Sequence, residues 1–388
     1  MTDMETAKRL NGVGEYYFSK KLREIDVLNQ TGAPVINLGI GSPDQPPHPD
    51  VIAALQEQSV LPNVHGYQSY KGIPLLREAI SNWYKRYYGV DLNPGNEVLP
   101  LIGSKEGIMH VCMTYFEEGS AVLVPNPGYP TYSSALTLSG ATPLYYELTE
   151  ACDYFPDFDR LSELIARSPQ KVKGMFVNYP HMPTGQPPTD HLFERLVQFA
   201  KKHGLLLIHD NPYSFILNER PMSLLTVEGA KDCVIELNSL SKSHNMAGWR
   251  IGMLCAGPQF VTEVLTFKSN MDSGMFLPVQ MAAARALQLG PEWFAQLNGV
   301  YEARRKRVYD LLDATGCTYS TRQCGLFVWA KVSAAFRDGY ECSDHMLETN
   351  RIFITPGGIF GSAGNEYVRL SLCATEEKII DALKRIHA

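Results

Sequence analysis

The sequence predicts an α/β fold: a mostly parallel sheet covered by helices on both faces, joined to a smaller α+β region. Three observations predict it. Short, nearly continuous apolar runs alternate with amphipathic stretches, as strands buried on both faces require. The 388 residues are 45% hydrophobic and 20% charged, an ordinary globular composition with ample chain for a large core. The last third changes character, with one long helix followed by isolated strands.

The elements follow in order, with no internal repeat and no low-complexity linker. Gly103-Ser-Lys-Glu-Gly107 opens a helix that continues through Ile108, Val111, Cys112 and Tyr115. Ala121–Val124 reads as a strand closed by Pro125-Asn126-Pro127-Gly128, and Met175–Asn178 as a strand closed by a Pro-rich turn. A helix then starts at Thr189 as N-cap, repeats Leu192, Phe193, Leu196, Val197 and Ala200 on one face, carries Lys201 and Lys202 in its last turn, and stops at Gly204. Leu205–Ile208, Val234–Leu237 and Ile251–Cys255 read as further buried strands. Glu292–Asp313 reads as a long helix bearing Arg304, Arg305, Lys306 and Arg307, followed by strands at Gly325–Trp329 and Tyr367–Leu372.

The formal net charge of −6 excludes the polyelectrolyte surfaces that bind nucleic acid or membranes. None of the eight cysteines forms a C-x-x-C pair, so neither a metal site nor a redox pair is expected. The opening MTDMETAKRL has no apolar leader and no apolar run approaches about 18 residues, so the reading is a cytoplasmic chain with reduced thiols and no membrane span.

Ligands in such sheets gather beyond the carboxyl ends of the strands, and the telling polar residues follow strand ends. Asn238-Ser-Leu-Ser-Lys-Ser-His-Asn-Met-Ala-Gly-Trp-Arg-Ile-Gly252 places Lys242 among small polar residues just past a strand, with Arg250 further along. Asp210-Asn-Pro-Tyr213 ends the preceding strand. Each residue has a blander reading: Lys242 as a solvated loop lysine, Asp210 as a turn or cap, Tyr213 as one core tyrosine among twenty, Ser104 as a simple helix cap, Arg250 as half of a surface salt bridge. Their succession in one chain favours a site.

On these motifs the chain resembles, from about Gly39 to Arg369, the class I/II aminotransferases of fold type I that depend on pyridoxal 5′-phosphate (PLP). The resemblance implies a large domain, residues 42–283, built on a seven-stranded sheet, and a small α+β domain, residues 1–41 with 284–388. It also implies residue roles. Lys242 would condense with the cofactor aldehyde and later shuttle the substrate proton, work that suits an amine whose pKa is lowered by burial and neighbouring cations. Asp210 would keep the pyridine nitrogen protonated and Tyr213 would meet the phenolate oxygen. Ser104 and Lys105 at a helix start, with Ser239, Ser241 and Arg250, would hold the phosphate. Tyr129, in Pro127-Gly-Tyr-Pro-Thr-Tyr132, resembles the aromatic that stacks on the ring. Tyr67, in His65-Gly-Tyr-Gln-Ser-Tyr-Lys-Gly72, resembles the tyrosine that reaches the neighbouring subunit's phosphate, which implies a homodimer with shared sites; a core or interface tyrosine is the alternative. Arg369 would grip the substrate carboxylate beside Gly39-Ile-Gly41, and Tyr16 matches the substrate-side tyrosine loosely.

The implied reaction moves an amino group between an L-amino acid and a 2-oxo acid, with 2-oxoglutarate as the acceptor, by a ping-pong mechanism. A C–S β-lyase or decarboxylase using the same cofactor is the alternative, and a cofactor-sensing regulator a remoter one. Two departures stand out. Asn178-Tyr-Pro-His-Met-Pro-Thr-Gly185 places Met182 where the family carries an asparagine that donates to the phenolate oxygen, a loss expected to raise the imine pKa by about one unit or less. The stretch Lys268–Phe276 shows no second arginine for a dicarboxylic side chain, and Lys268 reads as a solvated surface lysine, with a role at a distal carboxylate as the alternative.

Overall fold

The computed structural model describes residues 4–387. A seven-stranded sheet runs, in spatial order, Val98–Leu101, Gly252–Ala256, Val234–Ser239, Leu206–Asp210, Lys171–Val177, Ser120–Asn126, Thr142–Glu147. The last five are mutually parallel, whereas Gly252–Ala256 runs against both of its neighbours. The reason is the connection. Residues 240–251 hold one short helical turn, Leu240–Ser243, and a 3₁₀ turn, and Leu240 N donates to the Ile251 carbonyl at 3.1 Å. No crossover helix intervenes, so the chain returns beside the strand it left. Val98–Leu101 and Thr142–Glu147, the two strands not foreseen, lie at the two sheet edges, where Pro100 and Pro143 are tolerated.

The apolar runs are continuous because the sheet has two buried faces. Val177, Leu207 and Val234 face one core with Trp83, Leu196 and Phe215. Their chain neighbours Phe176, Ile208 and Ile235 face the other, with Ile108, Val111 and Leu136. The Asp190–His203 helix forms as read: Thr189 Oγ1 accepts from Leu192 N at 3.1 Å, and Gly204 ends it at φ +65°.

The C-terminal third builds a four-stranded antiparallel sheet, Thr355–Pro356, Tyr367–Ser371, Phe327–Lys331, Thr318–Tyr319. The helices Pro291–Ala314, Gly339–Asn350 and Glu376–His387 lie in the same stretch of chain. Ile36–Asn37 pairs in parallel with Ile352–Phe353. That pairing brings the loop Gly39–Asp44 over the end of the large sheet.

Arg304 fixes this loop. Its guanidinium, 6% exposed, donates to both Asp44 carboxylate oxygens at 2.7 and 2.8 Å and to the Leu372 carbonyl at 3.0 Å. Removing one partner of such a pair strands the other charge. An Arg304→Met variant is expected to lose about 2–3 kcal/mol in urea unfolding, the lower end of the range for broken buried pairs because Asp44 keeps some contact with water. Arg307→Met, whose partner Glu376 is exposed, should stay within about 1 kcal/mol of wild type. Equal midpoints for the two variants would refute the difference.

Candidate active site

A cavity of about 610 Å³ lies beyond the carboxyl ends of the parallel strands, roofed by Gly41 and by the start of the Tyr17–Asn29 helix. Of the residues singled out in the sequence, Tyr16, Gly41, Ser104, Lys105, Tyr129, Asp210, Tyr213, Ser239, Ser241, Lys242, Arg250 and Arg369 all line it. Residues scattered over most of the chain converge because most of them end a strand, follow one or open a helix at this one edge, while Arg369 enters from within the strand Tyr367–Ser371 of the small sheet.

Lys242 sits in the helical turn after Val234–Ser239 and donates from Nζ to the Gly41 carbonyl at 2.7 Å. Burial, with the charges of Arg369 and Arg250, holds its ammonium pKa below the usual lysine range, against an opposing effect of Cys373. No carboxylate bonds to it among the described residues, so its amine is tied only to one backbone oxygen.

Asp210 ends the strand Leu206–Asp210. Its Oδ2 accepts from the Tyr132 hydroxyl at 2.9 Å, while Oδ1 is buried with no partner. Burial pushes its pKa up to about 6; the Tyr132 hydrogen bond and the neighbouring His209 oppose the shift. The adjacent backbone is pinned, since Asn178 Nδ2 donates to the Asp210 carbonyl at 2.6 Å and His209 is held between Glu236 Oε2 and the Tyr179 carbonyl. Beyond Asp210, Tyr129 meets Tyr132 edge to face at 5.6 Å, and burial raises the Tyr213 phenol pKa.

At the other end lie Ser104, Lys105, Ser239, Ser241 and Arg250. Ser104 is not a cap: Gly103 is the N-cap of Ser104–Tyr115 and Ser104 is the first helical residue. Gly103 is required here, because at φ +86° a Cβ would fall 2.1 Å from Arg250 Nη2. Arg250 is itself left-handed at φ +58°, donates to the Ala247 carbonyl at 2.9 Å, and pairs with no acid among the described residues. Ser239 Oγ lies 2.9 Å from Ser241 Oγ. These hydroxyls, one guanidinium and a helix N-terminus make a donor set suited to a phosphate.

Arg369, 4% exposed, pairs with no carboxylate among the described residues either. Nη2 donates to the Gly39 carbonyl at 2.9 Å, Nη1 to Met182 Sδ at 3.3 Å, and Nε is buried and unpartnered. Its guanidinium carbon lies 3.7 Å over the Phe327 ring, and burial lowers its pKa to about 10. Met182 therefore does more than fill space, since its thioether touches the arginine.

A cation at one end, an orphaned acid at the other and an amine between them suit PLP: Asp210 Oδ1 awaits a ring N–H, and the serines and Arg250 await a phosphate. The sequence model of the family described as aminotransferase class I and II matches residues 33–386. The chain belongs to this family. It is 37% identical to an LL-diaminopimelate aminotransferase of Halothermothrix orenii over 385 residues, 99% of this chain and 98% of that one. It is 38% identical to the protein of the same name from Oleidesulfovibrio alaskensis, covering 100% and 99%. Among solved structures it is similar to substrate-bound BacF from Bacillus subtilis, with a TM-score of 0.93, 35% identity, and 99% and 97% of the two chains covered. This aminotransferase has the fold-type-I architecture, depends on PLP, and takes amino and oxo acids as substrates. The β-lyase, decarboxylase and regulator alternatives fall away.

Two readings of this aminotransferase need correction or relocation. Lys268 is not a solvated surface lysine: it is 1% exposed, ion-paired to Asp272 and 3.9 Å from Glu106. Together with His110 these acids could hold a cation, but the Lys268 ammonium already supplies the positive charge there. Tyr67 does not line its own chain's cavity and is 93% exposed. The sequence reading missed Asn178 as the clamp on the Asp210 backbone and on Met182 N, and Tyr132 as the partner of Asp210. Both lie in stretches singled out for other residues, so proximity in those motifs was the only signal.

Proposed function

We propose that Lys242 is the catalytic lysine of an L-amino-acid:2-oxoglutarate aminotransferase acting by a ping-pong mechanism. The observation that carries this is the Lys242 amine standing in one cavity with the unpartnered Asp210 Oδ1 and the acid-free Arg369. PLP, when bound, supplies the electron sink that makes the substrate α-proton acidic. Asp210 would hold a proton on the ring nitrogen. Ser104, Lys105, Ser239, Ser241 and Arg250 would anchor the phosphate, Tyr129 would pack on the ring, and Tyr213 would donate to the phenolate oxygen. Lys242 Nζ would take the proton from the substrate α-carbon and return it, work its lowered pKa favours because more of the amine is free. Arg369 would take the α-carboxylate and so orient the amino acid, and Tyr16 would close the substrate side.

We propose further that the enzyme is a cytoplasmic homodimer in which residues 42–283 form the large body and the remaining chain the small one. Support for the dimer is the exposed patch of Tyr67, Tyr70, Met271 and Phe276, where Phe276 stacks on His65 at 5.8 Å. Tyr67 would reach the partner's phosphate from there. The eight free cysteines and the absence, among the described residues, of a helix long and apolar enough to cross a membrane accord with a cytoplasmic setting.

The test is to incubate the PLP-loaded chain with a panel of L-amino acids and 2-oxoglutarate. Glutamate and the donor's oxo acid should appear in equal amounts, with parallel double-reciprocal lines; intersecting lines or no glutamate would overturn the reading. Arg369→Ala should raise KM for both substrates about 10–150-fold, the worth of a charge-assisted hydrogen-bonded contact, with a smaller change in kcat. An unchanged KM would remove Arg369 from its role.

A further inference from the structure

We infer that the site selects amino acids with an aromatic or large aliphatic side chain over those whose side chain ends in an ammonium group. The inference rests on the proposed function, with Arg369 as the α-carboxylate receptor, and begins from an inventory of charge. The charged residues lining the cavity are Lys105, Asp210, Lys242, Arg250 and Arg369. Asp210 is the only acid among them. It lies 4% exposed at the closed end, with one oxygen taken by Tyr132. A distal ammonium therefore meets no counter-ion, and it meets Lys105 as a like charge. Burying such a group unpaired is unfavourable.

The loop that the proposed dimer brings to the neighbouring cavity does not supply one. His65-Gly-Tyr-Gln-Ser-Tyr-Lys71 contains no carboxylate. Asp272, in the stretch that meets that loop where Gly274 lies against the Gln68 and Ser69 carbonyls, is already ion-paired to Lys268.

What the cavity offers instead is apolar. Phe327, Phe360 and Phe18 surround the Arg369 guanidinium at 3.7, 4.6 and 5.6 Å from ring centroid to carbon, so a side chain projecting from a carboxylate held there starts out among rings. Past Phe18 the wall continues as Tyr16, whose ring lies 5.6 Å from that of Phe18, and as Leu22 one turn along the same helix. Tyr16 and Leu22 are 38% and 39% exposed, and both line the cavity. This is apolar surface that a flat or branched hydrocarbon side chain would cover on binding, and that a solvated ammonium would not.

Two measurements test this. The first is kcat/KM for L-phenylalanine, L-leucine and L-lysine with saturating 2-oxoglutarate. Phenylalanine and leucine should exceed lysine by about tenfold or more, and a Leu22→Asp variant should narrow that ratio by lowering the first pair and raising lysine. The second is calorimetric titration of the PLP-loaded enzyme with 3-phenylpropanoate and 6-(dimethylamino)hexanoate, which carry no primary amine and so cannot condense with the cofactor. The aromatic acid should bind about tenfold more tightly or better. Transamination that favours lysine overturns the inference and leaves the aminotransferase reading standing. Absence of turnover with every donor sinks that reading instead, and the titration then still decides the side-chain preference: equal or reversed affinities refute it.

Discussion

Replacing Lys242 with alanine is expected to lower turnover by at least about 10⁴-fold, because one side chain both attacks the cofactor and moves the proton. No other residue can take over. The second lysine of the cavity, Lys105, has its ammonium 4.9 Å over the Tyr16 ring, whereas that of Lys242 is fixed by the Gly41 carbonyl. The fold should survive, since the substitution removes a mostly buried cation rather than a packing anchor. The burial that lowers the Lys242 pKa also implies a sign for the unloaded chain. At pH values below its folded pKa the ammonium is charged in a site that disfavours charge, so Lys242→Ala should unfold at a slightly higher temperature than wild type at pH 7, with the gap closing as pH rises toward the ordinary lysine range. The decisive readings are the visible absorbance of the loaded protein, which should be lost on the substitution, and turnover. Retained turnover would overturn the assignment, and Lys331→Ala, at an exposed ion pair outside the cavity, is the control in which the absorbance should persist.

The residues legible in the sequence share a property: their chemistry is declared by type and by position after a strand. Lys242 and Asp210 each stand at the end of an apolar run, and a parallel sheet places such positions at one edge whatever the loops do; Arg250 stands just before Gly252–Ala256, whose reversed direction brings its start to the same edge. The Asp190–His203 helix was legible for an equally local reason, since cap, stripe and stop all lie within it. What was not legible depended on partners distant in the chain. Lys268 looks like any charged helix end until Glu106, from a neighbouring helix distant in the chain, closes on it with Asp272. Met182 reads as a lost hydrogen-bond donor, and only the approach of Arg369 shows the sulfur as an acceptor. The reversed direction of Gly252–Ala256 leaves no trace in its own apolar pattern; it is set by the lack of a helix in residues 240–251.

Asp210→Asn should move stability and activity in opposite directions. In the unloaded chain Asp210 is buried with one oxygen unpartnered, and its pKa rises to about 6. The unfolded chain binds its proton only below about pH 3.9, so in the window between that value and about 6 the folded state holds more protons than the unfolded one. Stability therefore falls as pH rises through the window, and above it the full penalty, on the order of 3 kcal/mol for a shift of about two units, is in place. Asparagine keeps an acceptor for Tyr132 and carries no charge, so the unloaded variant should melt above wild type at pH 8 and level with it near pH 4. With PLP bound, a protonated ring nitrogen would meet Asp210 Oδ1, and the penalty would become an attraction that only the carboxylate can make. The variant should then lose about 10²–10³-fold in kcat, the worth of one preorganised electrostatic partner in a site closed to water. Thermal unfolding of unloaded wild type and variant at the two pH values, with kcat on the loaded forms, separates the two effects. A variant as fast as wild type would show that the ring nitrogen does not lean on this acid, and an unloaded variant no more stable at pH 8 would show that the buried carboxylate is not strained without its partner.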